Sequence, residues 1–198
     1  MRALVLTADG YEDCELFVPY YRLKEEGAQI DVAAPRQGGK IIGRRGHRIT
    51  ADHAFPHINA GAYDLLLVPG GQSPSEIRID PYALGVVRQV LLAGKPIAAI
   101  SSGAQVLISA RAVDGRNLTC CPTIRHDLAR AGATYLDRAV AVDDNLITSR
   151  GPDDLPAFCR AMIATLRGAD RPKQPMKPTA WREVNASRNR REPVHAVR

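Results

Sequence analysis

A serine at a predicted sharp turn is the first candidate for chemistry in this sequence. The apolar run Ile97–Ile100 is followed by Ser101, Ser102 and Gly103, and then by a helical pattern. A strand, a tight turn and a helix form a nucleophile elbow when small neighbours leave room for the exposed side chain. The match is partial, because Ala99 stands where a G-x-S-x-G pattern has its first glycine. The alternative is that Ser101 is a helix N-cap, and the spacing alone favours this alternative.

Backbone N–H groups near Ser101 are the second candidate. Gly70 and Gly71 directly follow an apolar strand pattern, and Ser102 opens the helix after Ser101. Both segments would direct N–H groups into the same space, as in the oxyanion hole of acyl or carbonyl chemistry. The same arrangement would also suit simple anion binding.

Glu12 is the candidate acid or base. It lies just before the first predicted helix, where its carboxylate would approach Ser101. Burial would raise its pKa and allow proton transfer near neutral pH. The alternative is an ordinary acidic residue that is favoured at a helix N-terminus by the helix dipole.

Short apolar strands alternate with amphipathic helices, which is typical of a parallel sheet covered on both faces. We therefore predict a doubly wound α/β fold, with a small hairpin formed by 40–42 and 47–50. The predicted strands are 2–7, 29–34, 64–68, 95–100, 117–120, 139–143 and 145–149, and the predicted helices are 14–26, 81–93, 104–111, 123–131 and 153–166. In such sheets the crevice lies beyond the carboxyl ends of the strands. The loops at 9–12, 70–73 and 101–103 should therefore converge.

Length and charge divide the chain into a domain and a tail. The 198 residues are 45% hydrophobic, which fits one globular domain, predicted at 1–167. Residues 167–198 contain nine basic and three acidic residues, so the whole net charge of +6 lies there. We interpret 168–198 as a basic, proline-rich extension that is solvated or packed on a neighbour, with Trp181 as its one candidate anchor. We do not expect specific binding of nucleic acid, because only this tail could bind it.

Several classes of protein are disfavoured by the sequence. The longest apolar runs, Leu65–Val68 and Ile97–Ile100, are far shorter than the ~20 residues of a membrane span. The N-terminus has no pattern of a secretory signal, so we expect a cytoplasmic location. The four cysteines have no metal-binding spacing, and no G-x-G-x-x-G or P-loop pattern follows a strand, so neither a metal nor a cofactor is expected.

Four motifs in order carry a family resemblance over about residues 2–166. They are Glu12-Asp13-x-Glu15-Leu16-x-x-Pro19, Val68-Pro69-Gly70-Gly71, Gly94-Lys95-Pro96 and the segment A-I-turn-G-x-x-x-L that contains the Ser101 turn. The chain resembles the ThiJ/PfpI superfamily, also called DJ-one. The resemblance implies a flavodoxin-like fold of the class I glutamine amidotransferase type. It also implies a homodimer, and PfpI-like members build hexamers from dimers.

The resemblance also implies roles for single residues. The family elbow carries a cysteine nucleophile, followed by histidine in the PfpI-like branch, and these positions are Ser101 and Ser102 here. The cysteine–histidine mechanism therefore cannot be carried over. Glu12 matches the family carboxylate at the nucleophile, and the backbone of Gly71 and Ser102 matches the oxyanion hole. Glu76 matches the acid that orients the histidine across a subunit interface.

Cys121 occupies the place where family members have a site-lining tyrosine or histidine. One hypothesis gives it a reactive or redox role opposite Ser101. The alternative, which is favoured, is a small residue that fills the space left by a larger one.

Two functions remain open from the sequence. The first is a non-classical or inactive homologue that keeps a carboxylate and oxyanion crevice for a small carbonyl or anionic ligand, with a stress-related or scaffold role. The alternative is a hydrolase, amidase or hydratase that uses Ser101, Glu12 and the backbone oxyanion hole.

Overall fold

A central mostly parallel sheet organises the chain, and the computed structural model describes residues 1–168. The predicted extension at 168–198, with Trp181, thus lies outside the described residues except for Gly168. The strands are β1 (Arg2–Leu6), β2 (Gln29–Ala34), β3 (Lys40–Ile42), β4 (Arg48–Thr50), β5 (His53–Ala54), β6 (Leu65–Val68), β7 (Ile97–Ile100), β8 (Asn117–Leu118), β9 (Thr134–Tyr135), β10 (Val140–Asp143) and β11 (Leu146–Ser149).

Seven of these strands form the main sheet in the order β10-β11-β7-β6-β1-β2-β5. All neighbours are parallel except β10 and β11, which form an antiparallel hairpin at one edge. The central strands β6 and β7 are apolar throughout and have 0% exposure. Such continuous apolar strands are expected where helices cover both faces of a parallel sheet.

Helices cover the two faces of the sheet and create two cores. They are α1 (Asp13–Glu25), α2 (Ser73–Ile77), α3 (Pro81–Leu92), α4 (Ala104–Ser109), α5 (Arg125–Arg130) and α6 (Leu155–Leu166). One core contains residues of α1 and α6, such as Leu16 and Phe158. The other contains residues of α3, α4 and α5, such as Val87, Leu107 and Leu128. This arrangement confirms the predicted flavodoxin-like, doubly wound α/β fold.

Several short elements differ from the sequence prediction. The strand predicted at 117–120 is shorter, and β8 pairs in parallel with β9 outside the main sheet. The helix predicted at 123–131 begins as a 3-10 turn at Pro122–Ile124 before α5. Helix α2 was not predicted, and Pro74 lies in its first turn, where proline is tolerated.

The described residues contain neither a candidate membrane-spanning helix nor a candidate metal-binding cluster. Within residues 1–168, no helix is both long and apolar enough to cross a bilayer. In the same part of the chain, no three His, Cys, Asp or Glu side chains are grouped so that they could hold a metal ion.

Candidate active site

Three loops meet at the carboxyl ends of β1, β6 and β7. Tyr11 and Gly71 form an isolated bridge between the first two loops. It is framed by hydrogen bonds from the Glu12 N–H to the Gly70 oxygen (3.3 Å) and from the Gln72 N–H to the Gly10 oxygen (2.7 Å). The third loop packs so closely that a Cβ on Gly103 would collide with the carbonyl oxygen of Val68. The predicted convergence of these loops is thus present.

Ser101 has the backbone conformation of an elbow. Its φ angle is +59°, in the left-handed region that side chains other than glycine rarely adopt. The favoured alternative, a helix N-cap, is wrong. The short 3-10 helix Ser101–Gly103 is capped by Ile100 and α4 by Gly103, in both cases without a side-chain cap hydrogen bond. A cap residue normally lies in the extended region instead.

Glu15, which the sequence analysis did not single out, is the carboxyl group at the elbow. It is 1% exposed, and its Oε2 accepts a hydrogen bond from the Gly70 N–H at 2.8 Å. Burial raises the pKa of Glu15 to about 7, against the lowering effects of the Gly70 N–H, the Ser101 hydroxyl and the charge of Arg44, while the charge of Glu12 raises it further. Glu15 can therefore gain or lose a proton near neutral pH.

Glu12 does not make the expected contact with Ser101. It is the N-cap residue of α1, and its side chain forms no cap hydrogen bond. Its carboxylate instead lies beside Arg44 Nη1 (3.4 Å) and Arg45 Nε (3.5 Å) of the β3–β4 turn. The two cations explain the difference, because they hold the carboxylate at the mouth of the crevice rather than beside the elbow.

The glycines and Ser102 differ in the donors that they offer. The Gly70 N–H already donates to Glu15, so Gly70 does not supply the predicted free oxyanion donor. Neither of the two hydrogen bonds that frame the Tyr11–Gly71 bridge uses the Gly71 N–H. Gly71 has a φ of +82°, and a Cβ there would collide with the Gly10 oxygen. The Ser102 hydroxyl donates to the Gly71 oxygen at 2.8 Å and so ties the elbow to this loop.

Cys121 and Glu76 are not joined to this cluster in the described chain. The half-buried Cys121 thiol lies 3.1 Å from Thr123 Oγ1 and packs against the core beside α3 to α5. Among residues 1–168 it forms no hydrogen bond with Ser101. Glu76 is exposed on α2 and lines a separate polar cleft with Asp9 and Arg36. A reactive Cys121 and an intersubunit Glu76 therefore stay predictions.

A signal for Glu15 was present in the sequence. On a helix, residues spaced by four lie on one face, and Glu15 shares this spacing with the buried Pro19 and Leu23. A carboxylate on a buried apolar stripe is unusual and points to a perturbed pKa.

Comparisons with known proteins agree with the predicted family and fold. The profile of the DJ-1/PfpI family matches residues 1–165. A deglycase of Thermococcus kodakarensis is 42% identical over 167 residues, which cover 84% of this chain and 100% of that protein. General stress protein 18 of Bacillus subtilis is 39% identical over 166 residues, covering 83% and 96%. The crystal structure of Drosophila melanogaster DJ-1beta superposes with a TM-score of 0.79 at 28% identity, covering 84% and 90%.

Proposed function

This chain belongs to the DJ-1/PfpI family, and on that premise we propose that it is a non-classical member that binds a small carbonyl or anionic compound in the Ser101 crevice. The resemblance implies a cysteine and a histidine at residues 101 and 102, but both residues are serine here. A thiol with a pKa near 8.5 can be activated by its surroundings, whereas an alcohol needs a base beside it.

The buried carboxyl group of Glu15 is the observation that carries the proposal. With a pKa of about 7, Glu15 is partly protonated at neutral pH. A protonated carboxyl group can donate a hydrogen bond to a carbonyl oxygen, and the Gly71 N–H offers a second donor from the facing loop. The crevice therefore suits an uncharged carbonyl oxygen at low pH.

Turnover and binding by the full chain test the proposal together. Purified protein is incubated with methylglyoxal, an amide reporter and an isonitrile, beside Ser101→Ala and Glu15→Gln. Methylglyoxal should raise the melting temperature of the wild type without being consumed, and Glu15→Gln should remove this effect. Consumption that disappears in Ser101→Ala would instead establish catalysis by the serine.

A serine hydrolase or hydratase is the second candidate, and the φ of +59° at Ser101 favours it. Ser101 Oγ would form a bond to the carbonyl carbon, its proton would pass to Glu15, and the carbonyl electron pair would move to the oxygen near the Gly71 and Ser102 N–H groups. As the carbonyl re-forms, the bond to the leaving group would break and Glu15 would give that group the proton. Water would then add to the acyl carbon while Glu15 takes its proton, the bond from that carbon to Ser101 Oγ would break, and Glu15 would return the proton to Ser101. Glu15 takes the role of base that the sequence analysis gave to Glu12, because Glu15 is the carboxyl group that lies at Gly70 and Ser101.

Ser101→Cys separates the two candidates further. If the elbow and Glu15 are competent for catalysis, the thiol should give faster turnover of methylglyoxal than the serine. If the wild-type crevice only binds, the wild type should show no turnover, and turnover that appears only in Ser101→Cys would assign this inactivity to the serine.

We also propose the homodimer, or a hexamer built from dimers, a cytoplasmic location and a role in stress. These proposals are supported by the family and by the relative named a general stress protein. Sedimentation equilibrium of the full chain measures the assembly, and a monomer at micromolar concentration would contradict it.

A further inference from the structure

Two guanidinium groups face one carboxylate at the mouth of the crevice. The Glu12 oxygens lie 3.4 Å from Arg44 Nη1 and 3.5 Å from Arg45 Nε. Charge-assisted hydrogen bonds are usually 2.7–2.9 Å long. Both separations are longer than this, and one negative charge is shared between two positive ones.

The exposure of these side chains differs in a way that suits an incoming anion. Glu12 is 12% exposed at its side chain, whereas Arg44 is 52% and Arg45 is 74% exposed. Arg45 and Glu12 also line a groove of about 860 Å³, together with Arg48 and His47. A groove of this size accommodates small molecules. Of the two cations, Arg45 thus faces an open groove, whose lining also includes Asp13, Phe17 and Tyr21, whereas Arg44 lies outside this lining.

The backbone under the two arginines is fixed. The Arg44 N–H donates to the Tyr11 oxygen at 2.9 Å, and the Arg45 N–H donates to Asp13 Oδ2 at 2.8 Å. Asp13 also accepts from the N–H and the ring Nδ1 of His47, at 3.0 Å and 2.7 Å. The β3–β4 turn is therefore held against the start of α1 by its backbone, and its two guanidinium groups contact only the Glu12 carboxylate among the charged groups of the described chain.

The same charges act on the elbow carboxyl group. The groups that influence Glu15 are Glu12 and Arg44 by charge, and the Gly70 N–H and Ser101 hydroxyl by hydrogen bonding. An anion that drew Arg44 away from Glu12 would increase the negative potential at Glu15. Anion binding should therefore favour protonation of Glu15.

We propose that Arg44 and Arg45 form a subsite for the oxyanion group, carboxylate or phosphate, of a small carbonyl ligand, and that Glu12 is the built-in occupant which the ligand displaces. Arginine suits this role because its planar guanidinium group binds such oxyanions through two parallel hydrogen bonds. The subsite rests on the proposed function of the crevice, since it adds a charge preference to the carbonyl ligand.

If the ligand displaces Glu12 from the two arginines, removing the Glu12 charge should strengthen binding. Calorimetric titration of the full chain uses two probes, pyruvate as a carboxylate and inorganic phosphate. Glu12→Gln should tighten the binding of the preferred probe about tenfold, because the internal competitor is removed. Arg44→Gln and Arg45→Gln should each weaken it about tenfold, and Arg130→Gln, whose side chain is 81% exposed on α5, should change nothing. The probe that binds with the higher affinity shows whether the subsite prefers a carboxylate or a phosphate.

The outcomes separate this subsite from the proposed function. Weaker binding by Glu12→Gln, or unchanged binding by both arginine variants, would overturn the subsite. Binding that needs Arg44 but is insensitive to Gly70→Ala would keep the subsite and overturn the role of the Ser101 crevice. If neither probe binds at millimolar concentration, both proposals fail.

Discussion

The buried carboxyl group of Glu15 should make the stability of the protein depend on pH. Its pKa is raised from 4.5 to about 7 in the folded chain. Between these values the folded state binds more protons than the unfolded state, so the free energy of unfolding falls as the pH rises through this range. The shift corresponds to roughly 3 kcal/mol, which is fully lost above pH 7. Urea unfolding from pH 4.5 to 8 measures it.

Glu15→Gln should abolish this dependence and be more stable than the wild type at pH 8, because the amide oxygen can still accept from Gly70. Glu25→Gln is the matched control on the same helix, where the carboxylate is 68% exposed. A Glu15→Gln protein that keeps the wild-type slope would assign the pH dependence to another group.

Gly70 should tolerate no side chain. An alanine Cβ there would lie 2.5 Å from Glu15 Oε2, 2.9 Å from Ser101 Cβ and 3.0 Å from Ser102 Oγ. Gly70→Ala should therefore push the three side chains apart, cost about 2 kcal/mol of stability and abolish the binding of methylglyoxal. Urea unfolding and thermal shift with methylglyoxal measure the two effects.

Gly85→Ala is the control for this substitution. Gly85 lies within α3, and no atom comes within 4 Å of an added Cβ. It should stabilise the protein by about 0.5–1 kcal/mol, as expected for alanine in a helix interior. Equal effects of the two substitutions would show that Gly70 is not crowded.

The local conformation of the site residues could be predicted from the sequence better than their long-range contacts. The sharp turn at Ser101 and the glycine loop after β6 could be predicted from the local sequence pattern, because local sterics largely determine a turn. The expected approach of Glu12 to Ser101 was wrong, because the position of the Glu12 carboxylate depends on where Arg44 and Arg45 lie. The β3–β4 turn is 32 residues from Glu12 in sequence, and no local pattern encodes that contact.

At the scale of elements, a buried arginine joins β8 to the β10–β11 hairpin. Arg116 precedes β8, and its Nη1 lies 3.0 Å from Asp143 and 2.7 Å from Asp144, with the arginine side chain 6% exposed. Arg116→Met should leave two carboxylates without their cation and destabilise the protein by about 3 kcal/mol. Urea unfolding at pH 7 measures the loss.

Arg130→Met is the matched control. Its guanidinium group is 81% exposed and lies 3.6 Å from Asp127, and an exposed pair of this kind contributes at most about 1 kcal/mol. If Arg116→Met cost no more than this control, the ion pairs of Arg116 would not hold the hairpin.

The predictability of an element depended on its length and on its partners. The apolar strands β6 and β7 and the long helices α1, α3 and α6 were predicted within a few residues, because burial on the sheet imposes a strong pattern. The two-residue strands β8 and β9 carry no such pattern. Their pairing depends on contacts between distant segments, so the sequence predicted a strand at 117–120 but not its partner β9.

At the scale of the whole molecule, most of the net positive charge lies in the C-terminal residues 168–198, after the folded domain. Residues 1–167 contain 19 basic and 18 acidic residues, whereas 168–198 contain eight basic and three acidic ones. The family profile ends at residue 165, just before this change in composition. The two parts should therefore contribute differently to stability and to binding of polyanions.

Removal of residues 168–198 tests this separation. The strands of the seven-stranded sheet and the described members of both cores belong to 1–168, so we expect the truncated chain to unfold at the urea concentration of the full chain. The full chain should bind duplex DNA only at low salt and without sequence preference, because binding by a basic segment is driven by counterion release and weakens steeply as salt increases. The truncated chain should lose this binding altogether. DNA binding that survives truncation, or that persists at physiological salt with a sequence preference, would place a nucleic-acid site on the folded domain, where Arg44, Arg45 and Arg48 would be the first residues to replace.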